Sequence, residues 1–271
     1  EKLNPKISNP KNIPIYGEII TARWAYEALA VYQYKENKYE EQFYAYDKAM
    51  SISDFKKNYW IRTLNNKVAF IERNFDNSQR VDELKDNLEV LRNEIQKELD
   101  SESGRIVKFN YMDQLYFDKI NKDVVQALKN YFDILNKYYV KLYNKANGLK
   151  DKAISSLQKT PEDRENFMRM KQRYYNDNLS ELLRNSNEIN RIIEFKGELY
   201  QKIDPVFLDP HNKFIKAHFY APRKQVFGNF YDTFWVNIIV IWFMTIMLFI
   251  ILRYRLLRRL LDFFEEKQFK S

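Results

Sequence analysis

The longest uninterrupted apolar run in the chain lies near its C-terminus. Phe234 to Leu252 reads FWVNIIVIWFMTIMLFIIL, with no charge and only Asn237 and Thr245 as polar members. At roughly 1.5 Å per residue such a helix covers roughly 28 Å, close to the thickness of a bilayer core, and it predicts a transmembrane helix over 234–252. Trp235 and Tyr254 flank it at opposite ends, where amphipathic rings prefer the membrane interface. Arg253, Arg255, Arg258 and Arg259 follow at once, whereas the preceding stretch carries only Lys216, Arg223 and Lys224. The richer side is expected in the cytoplasm, which places residues before the span outside the cell membrane and leaves 253–271 as a basic cytoplasmic tail.

Upstream, the pattern is that of polar-faced helices. Residues 1–14 are Pro-, Asn- and Lys-rich and read as a linker. Beginning with Glu1 and lacking an apolar leader core, the sequence reads as a processed product or one piece of a longer polypeptide. Over 15–50, Tyr16, Ile19, Ile20, Trp24, Leu29 and Val31 place apolar residues on more than one side of a helix. This suits packing in a large assembly or rest at a membrane interface. The 51–117 stretch reads as a helical subdomain, with a short helix over 53–75 and another over about 79–99. Val81, Leu84, Leu88, Leu91, Ile95 and Leu99 form the stripe of that second helix. Residues 105–117 give no clear period.

The 118–203 stretch predicts a long antiparallel, coiled-coil-like hairpin. Leu128, Leu135, Leu142 and Leu149 recur every seven residues, beside a second row of Val125, Phe132, Tyr139, Ala146 and Ala153. Thr160-Pro161-Glu162-Asp163 is a helix start: an N-cap Thr, Pro at the first position, and acids at the positive end of the dipole. A second helix is expected to run to about Lys202, with Phe167, Met170, Tyr174, Leu182, Ile189, Ile192, Phe195 and Leu199 toward the core. A Pro-punctuated return to the bilayer over 204–233 completes a mainly α architecture.

Composition narrows the chemistry. Gly (5) and Pro (7) are scarce among 271 residues, which suits long helices rather than a sandwich or barrel. Without cysteine there are no disulfides, no thiol catalysis and no Cys-based metal site. GxxxxGK[ST], GxGxxG and GxSxG are all absent from the sequence. His211 and His218 lack an acid at ligand-like spacing between them, so no metal site is nominated. The carboxylates fall into the i,i+3 and i,i+4 patterns of exposed helix faces, so no catalytic residue is nominated either. The net charge of +8 and the aromatic–basic interleaving over Tyr131–Tyr143 invite a nucleic-acid reading. Heptad spacing makes those aromatics core residues, and nucleic acid is not an expected partner.

Two patches carry a resemblance. Ala22-Arg23-Trp24-Ala25-Tyr26-Glu27-Ala28-Leu29-Ala30-Val31, followed by Tyr39-Glu40, resembles the segment after the fifth transmembrane helix of G-subfamily (ABC-2 type) ABC transporters. There an "(F/P)-R-(W/Y)-a-x-E-A-L" stretch forms a partly membrane-embedded outer helix. Phe227 to Arg258 is similar to that family's last transmembrane helix. The resemblance covers about 60 of the 271 residues, with Arg23, Trp24, Tyr26, Glu27, Ala28 and Leu29 as its motif. Tyr32 and Gln33 stand where the family often has Asn-Glu, and the external loop is far longer than usual.

The resemblance implies the C-terminal part of an ATP-driven exporter or lipid-handling transporter, with the hairpin as docking arm or gate. It further implies ATP and Mg bound on a nucleotide-binding domain outside this sequence, no cofactor in the sequence itself, and a homodimer or larger complex. Its partners would be the bilayer, the remainder of the transporter and an extracytoplasmic protein at the hairpin. The competing expectation is a single-pass scaffold or sensor whose outer bundle binds a ligand or protein partner, with 15–34 away from lipid. No constellation supports an enzyme.

Overall fold

The computed structural model describes residues 13–75, 77–210, 212 and 214–256. In chain order these form α1 (Ile15–Ile19), α2 (Thr21–Lys35), α3 (Tyr44–Phe55), α4 (Ile61–Asn74), α5 (Val81–Leu99), α6 (Lys122–Ser156), α7 (Pro161–Tyr174) and α8 (Asp177–Arg184). There follow strands β1 (Ile192–Phe195), β2 (Glu198–Gln201), β3 (Arg223–Val226) and β4 (Asn229–Asp232), then α9 (Thr233–Arg253). The chain is mainly helical, as its pattern predicts, and it divides into two compact units. One takes the chain up to Gln33 together with Asp209 onward; the other is Tyr34–Leu208.

The second unit is a helical bundle. A π-helical turn over Lys56–Trp60 joins α3 to α4, so Tyr44–Asn74 is one continuous helix with a bulge rather than the short helix expected over 53–75. The bulge turns two side chains onto acids of α5. Trp60 donates its indole N–H to Glu94 Oε2 at 2.7 Å, and Lys56 reaches Glu98 Oε2 at 2.7 Å. Glu98 also accepts from the Ser103 and Tyr139 hydroxyls. Burial alone would push the Glu98 carboxyl up, but Lys56 and the two hydroxyls outweigh it and hold it below the usual range. Around this polar staple lies the core, in which Leu84, Leu88, Leu91 and Ile95 of α5 meet Leu64, Val68 and Ile71 of α4. Leu128, Phe132 and Leu135 of α6 close it. The α5 stripe is therefore the expected one. Phe132 and Tyr139 are buried, as their heptad positions require, and Tyr131 is buried beside them.

The long hairpin differs from expectation. Its first arm is present as α6, but α6 packs along α3 and α4, and Leu149 is exposed. The turn into α7 is the capping box that the sequence spells out: Thr160 Oγ1 accepts from Asp163 N–H, and Asp163 accepts from Thr160 N–H. The second arm is not a forty-residue helix. It ends at Tyr174, restarts under an Asn176 N-cap, and stops at Asn185 in the left-handed conformation. Polar residues then lead into the antiparallel β1–β2 hairpin, whose register pairs Ile193 with Tyr200. Lys196 and Gly197 both take positive φ in its two-residue loop, the geometry that matches strand twist. Apolar residues past Tyr175 had been read at helical period. Leu182 and Ile189 are instead exposed, while Phe167 and Leu199 are buried. The 105–117 stretch is irregular, with short 3-10 turns.

In the first unit, β3 and β4 form a second antiparallel hairpin over the Phe227–Gly228 loop, again at positive φ. α9 follows directly. Its first residue, Thr233, is buried and donates its hydroxyl to Ala221 O at 2.5 Å. Thr233–Arg253 is long and apolar enough to cross a membrane, and beyond its first turns most of its side chains are exposed. A soluble core helix of this composition would be buried instead.

Candidate functional site: a buried charge cluster between two apolar helix faces

α2 buries Trp24, Ala28, Ala30, Val31 and Tyr34 around a single charged residue, Glu27, and also shows apolar side chains outward. Tyr26, Leu29 and Tyr32 are exposed, as are Ile15, Ile19 and Ile20 around α1, while Glu27 is fully buried. Ile20 adopts an extended conformation and so separates α1 from α2. α2 and α9 run antiparallel. Tyr32 meets Phe234 with ring centroids 4.5 Å apart, Trp24 and Glu27 meet Asn237, and Thr21 reaches Met244. Met244 lies about 16 Å along α9 from Thr233 at 1.5 Å per residue.

Glu27 is the hub of the cluster. Its Oε2 accepts from Lys224 Nζ at 2.7 Å, from Asn237 Nδ2 at 2.9 Å and from Arg23 Nη1 at 3.0 Å. Lys224 also donates to Asn237 Oδ1 at 2.9 Å, and Asn237 donates to the Trp24 carbonyl at 3.0 Å. Arg23 continues to Glu18 at 2.6 Å and to the Gly17 carbonyl, tying α1 to α2. Trp24 donates its indole N–H to the Glu18 carbonyl. The Trp24 ring lies under both cations, 3.8 Å from the Arg23 guanidinium carbon and 4.3 Å from Lys224 Nζ.

Two carboxylates and two cations balance, which a site shielded from water requires. Burial pushes the Lys224 ammonium below its ordinary pKa, and the neighbouring Glu27 carboxylate opposes that shift. Glu27 Oε1, also buried, has no hydrogen-bond partner among the described residues, so all three donors converge on one oxygen. Chemically this is a latch: it holds two helices and a β-hairpin together by charge, where apolar contacts alone would let them slide.

No family model, no curated protein and no solved structure matches this chain. The cluster therefore stands on its own geometry.

It gathers Arg23, Trp24 and Glu27 from the six motif residues. Ala28 is buried beside them, whereas Tyr26 and Leu29 lie on the exposed apolar face, with Tyr26 near Tyr220. Trp235, Arg253, Tyr254 and Arg255 are exposed at the two ends of α9. Arg258, Arg259 and His211 fall outside the described residues. Sequence reasoning missed Lys224 and Asn237. Lys224 had counted only as a flanking charge, and Asn237 only as a polar interruption of the span. A lone Asn one turn inside an apolar helix was the available signal, since such a group demands a partner.

Proposed function

We propose that this chain supplies the membrane part and the outer domain of an ATP-driven exporter or lipid-handling transporter of the G-subfamily ABC type. In this reading α9 crosses the cell membrane with its Arg-rich end in the cytoplasm, and Tyr34–Leu208 is extracytoplasmic. α1 and α2 dip into the outer leaflet beside it. The observation that carries the reading is the exposed apolar face of α2 together with the single carboxylate, Glu27, buried behind it. A helix showing Tyr26, Leu29 and Tyr32 outward while its Glu27 is held inward by Lys224 and Asn237 suits a lipid surround. The 16 Å overlap with α9 amounts to about half of a bilayer core of roughly 30 Å.

The latch fixes the dipping helix to the span, so that movement of one is passed to the other. ATP and Mg would be held by a nucleotide-binding domain outside these residues, and a second copy would complete the pore. The test is native purification of the polypeptide that ends in Phe269-Lys270-Ser271, followed by intact mass spectrometry and an ATPase assay. The reading expects a GxxxxGK[ST] loop in the same chain or complex, and ATP hydrolysis that needs Mg. Purification without any ATPase would refute it in favour of a single-pass scaffold or sensor.

A further inference from the structure

Independently of the transporter reading, the helical bundle holds a second built site. A cavity of about 500 Å³ opens among α3, α6, α7, α8 and the 3-10 turn Glu40–Gln42. Its size suits a small organic molecule. Tyr34, Tyr39, Tyr175 and Phe207 supply aromatic wall, with the Tyr39 and Tyr175 rings 5.7 Å apart and edge-on.

The charges around it are not equivalent. Lys150 is held by Asp47 at 2.6 Å, and Arg184 by Asp204 at 2.7 Å, with Ser51 also donating to Asp204. Asp54 is taken up by Lys57 and Asn58. Lys171 lines the cavity beside the Tyr175 ring. Glu40 is left. It is 6% exposed, and among the described residues no donor reaches its carboxylate, which opens on the cavity. Its backbone N–H is pinned to Asn37 Oδ1 at 2.9 Å, so the side chain is presented from a fixed turn. With Asp47, Asp54 and Asp204 each held by a cation, Glu40 and Lys171 remain, and because Lys171 is exposed to solvent, Glu40 is the buried charge without a partner.

We infer that this cavity binds a small monovalent organic cation, an ammonium group seated against Glu40 with its carbon body among Tyr34, Tyr39 and Tyr175. An anion finds Arg184 and Lys150 already paired and the remaining Lys171 out in solvent. A bare metal ion finds one free carboxylate in a space made for something larger. An ammonium ion satisfies the unpaired carboxylate and gains from the aromatic faces together.

Burial, and then Asp47, push the Glu40 carboxyl up to about 7, with Lys150, Arg184 and Lys171 opposing. Near neutrality the empty site thus sits between its protonated and ionised forms, and a bound cation selects the ionised one. Burial moves the neighbouring Tyr34 and Tyr39 hydroxyls upward, away from this range.

The experiment uses the full chain in lipid nanodiscs, with phenethylamine as probe. Phenylacetate and 2-phenylethanol serve as its anionic and neutral counterparts, and empty nanodiscs correct for partitioning. Saturable binding is followed by ligand-detected NMR. Phenethylamine is expected to bind at least tenfold tighter than either counterpart. Its affinity should fall about tenfold from pH 8 to pH 6, as Glu40 goes from mostly ionised to mostly protonated. Glu40→Gln should lose at least tenfold and flatten the pH dependence. Tyr175→Leu should weaken binding several-fold while keeping the pH dependence, and circular dichroism checks that both variants are folded. Equal affinity for the three probes, a Glu40→Gln variant that binds like the parent, or no saturable binding at millimolar phenethylamine would overturn the proposal.

Discussion

Replacing Glu27 with Ala removes the one oxygen on which three donors converge, and the cost follows from what remains. Lys224 is 1% exposed and would keep only Asn237 as partner, while Arg23 would keep Glu18. Leaving a buried charge without its counter-ion costs about 3–5 kcal/mol. Lys224→Met costs less, about 1–3 kcal/mol, because Glu27 retains Arg23 and Asn237 and only one charge-assisted bond is lost. The double variant removes both charges together and leaves Arg23–Glu18 intact. It should therefore be more stable than the sum of the single effects predicts, by about 2–4 kcal/mol. The assay is chemical unfolding of the full chain in detergent micelles, followed by tryptophan emission, since Trp24 lies under both cations. A coupling energy below about 0.5 kcal/mol would refute the latch, as would a Glu27→Ala variant as stable as the parent.

Three further outcomes are expected. Glu40 has a carboxyl raised from 4.5 in the unfolded chain to about 7 in the folded one. Its contribution is fully present below pH 4.5 and is lost as the pH rises through 7. The loss is roughly 3 kcal/mol, and it should vanish from pH-dependent unfolding curves of Glu40→Gln. Glu98 has the opposite sign: its depressed carboxyl stabilises above the unfolded value and loses that contribution on acidification. Glu98→Ala should cost about 2–4 kcal/mol by taking away the acceptor that Lys56, Ser103 and Tyr139 share, as read from urea midpoints. Gly197→Ala places a Cβ at φ +69°, 3.0 Å from a Glu89 carboxylate oxygen. It should cost about 1–2 kcal/mol, with faster hydrogen exchange confined to Ile192–Gln201.

What the sequence disclosed and what it hid have one physical division. The apolar C-terminal helix, the α5 stripe and the Thr160 capping box are local signals, each complete within one helix or its first turn, and each appears where its pattern lies. The β-hairpins were hidden because β1 and β2 are four residues each, too short to separate period two from a helical period. Their signal was the pair Lys196-Gly197 and Phe227-Gly228, two X-Gly steps between apolar runs, and it was passed over. The charge cluster was half legible. Arg23, Trp24 and Glu27 stood out as a motif, but Lys224 and Asn237 lie about 200 residues further on, and only the fold brings them together. The cavity was wholly hidden, since Glu40, Tyr175 and Asp204 come from distant segments and carry no spacing in common.

The central claim is that α2 lies in lipid beside α9, with its apolar face outward and Glu27 inward. It is tested most directly by spin labels at Leu29 and Tyr26, in nanodiscs, read by power saturation with oxygen and with a water-soluble nickel complex. The account predicts that oxygen, which partitions into the bilayer, relaxes both labels more than nickel does, while a label at Gln158 in the helical bundle shows the reverse. Nickel accessibility at Leu29 equal to that at Gln158 would place α2 in water and contradict the account.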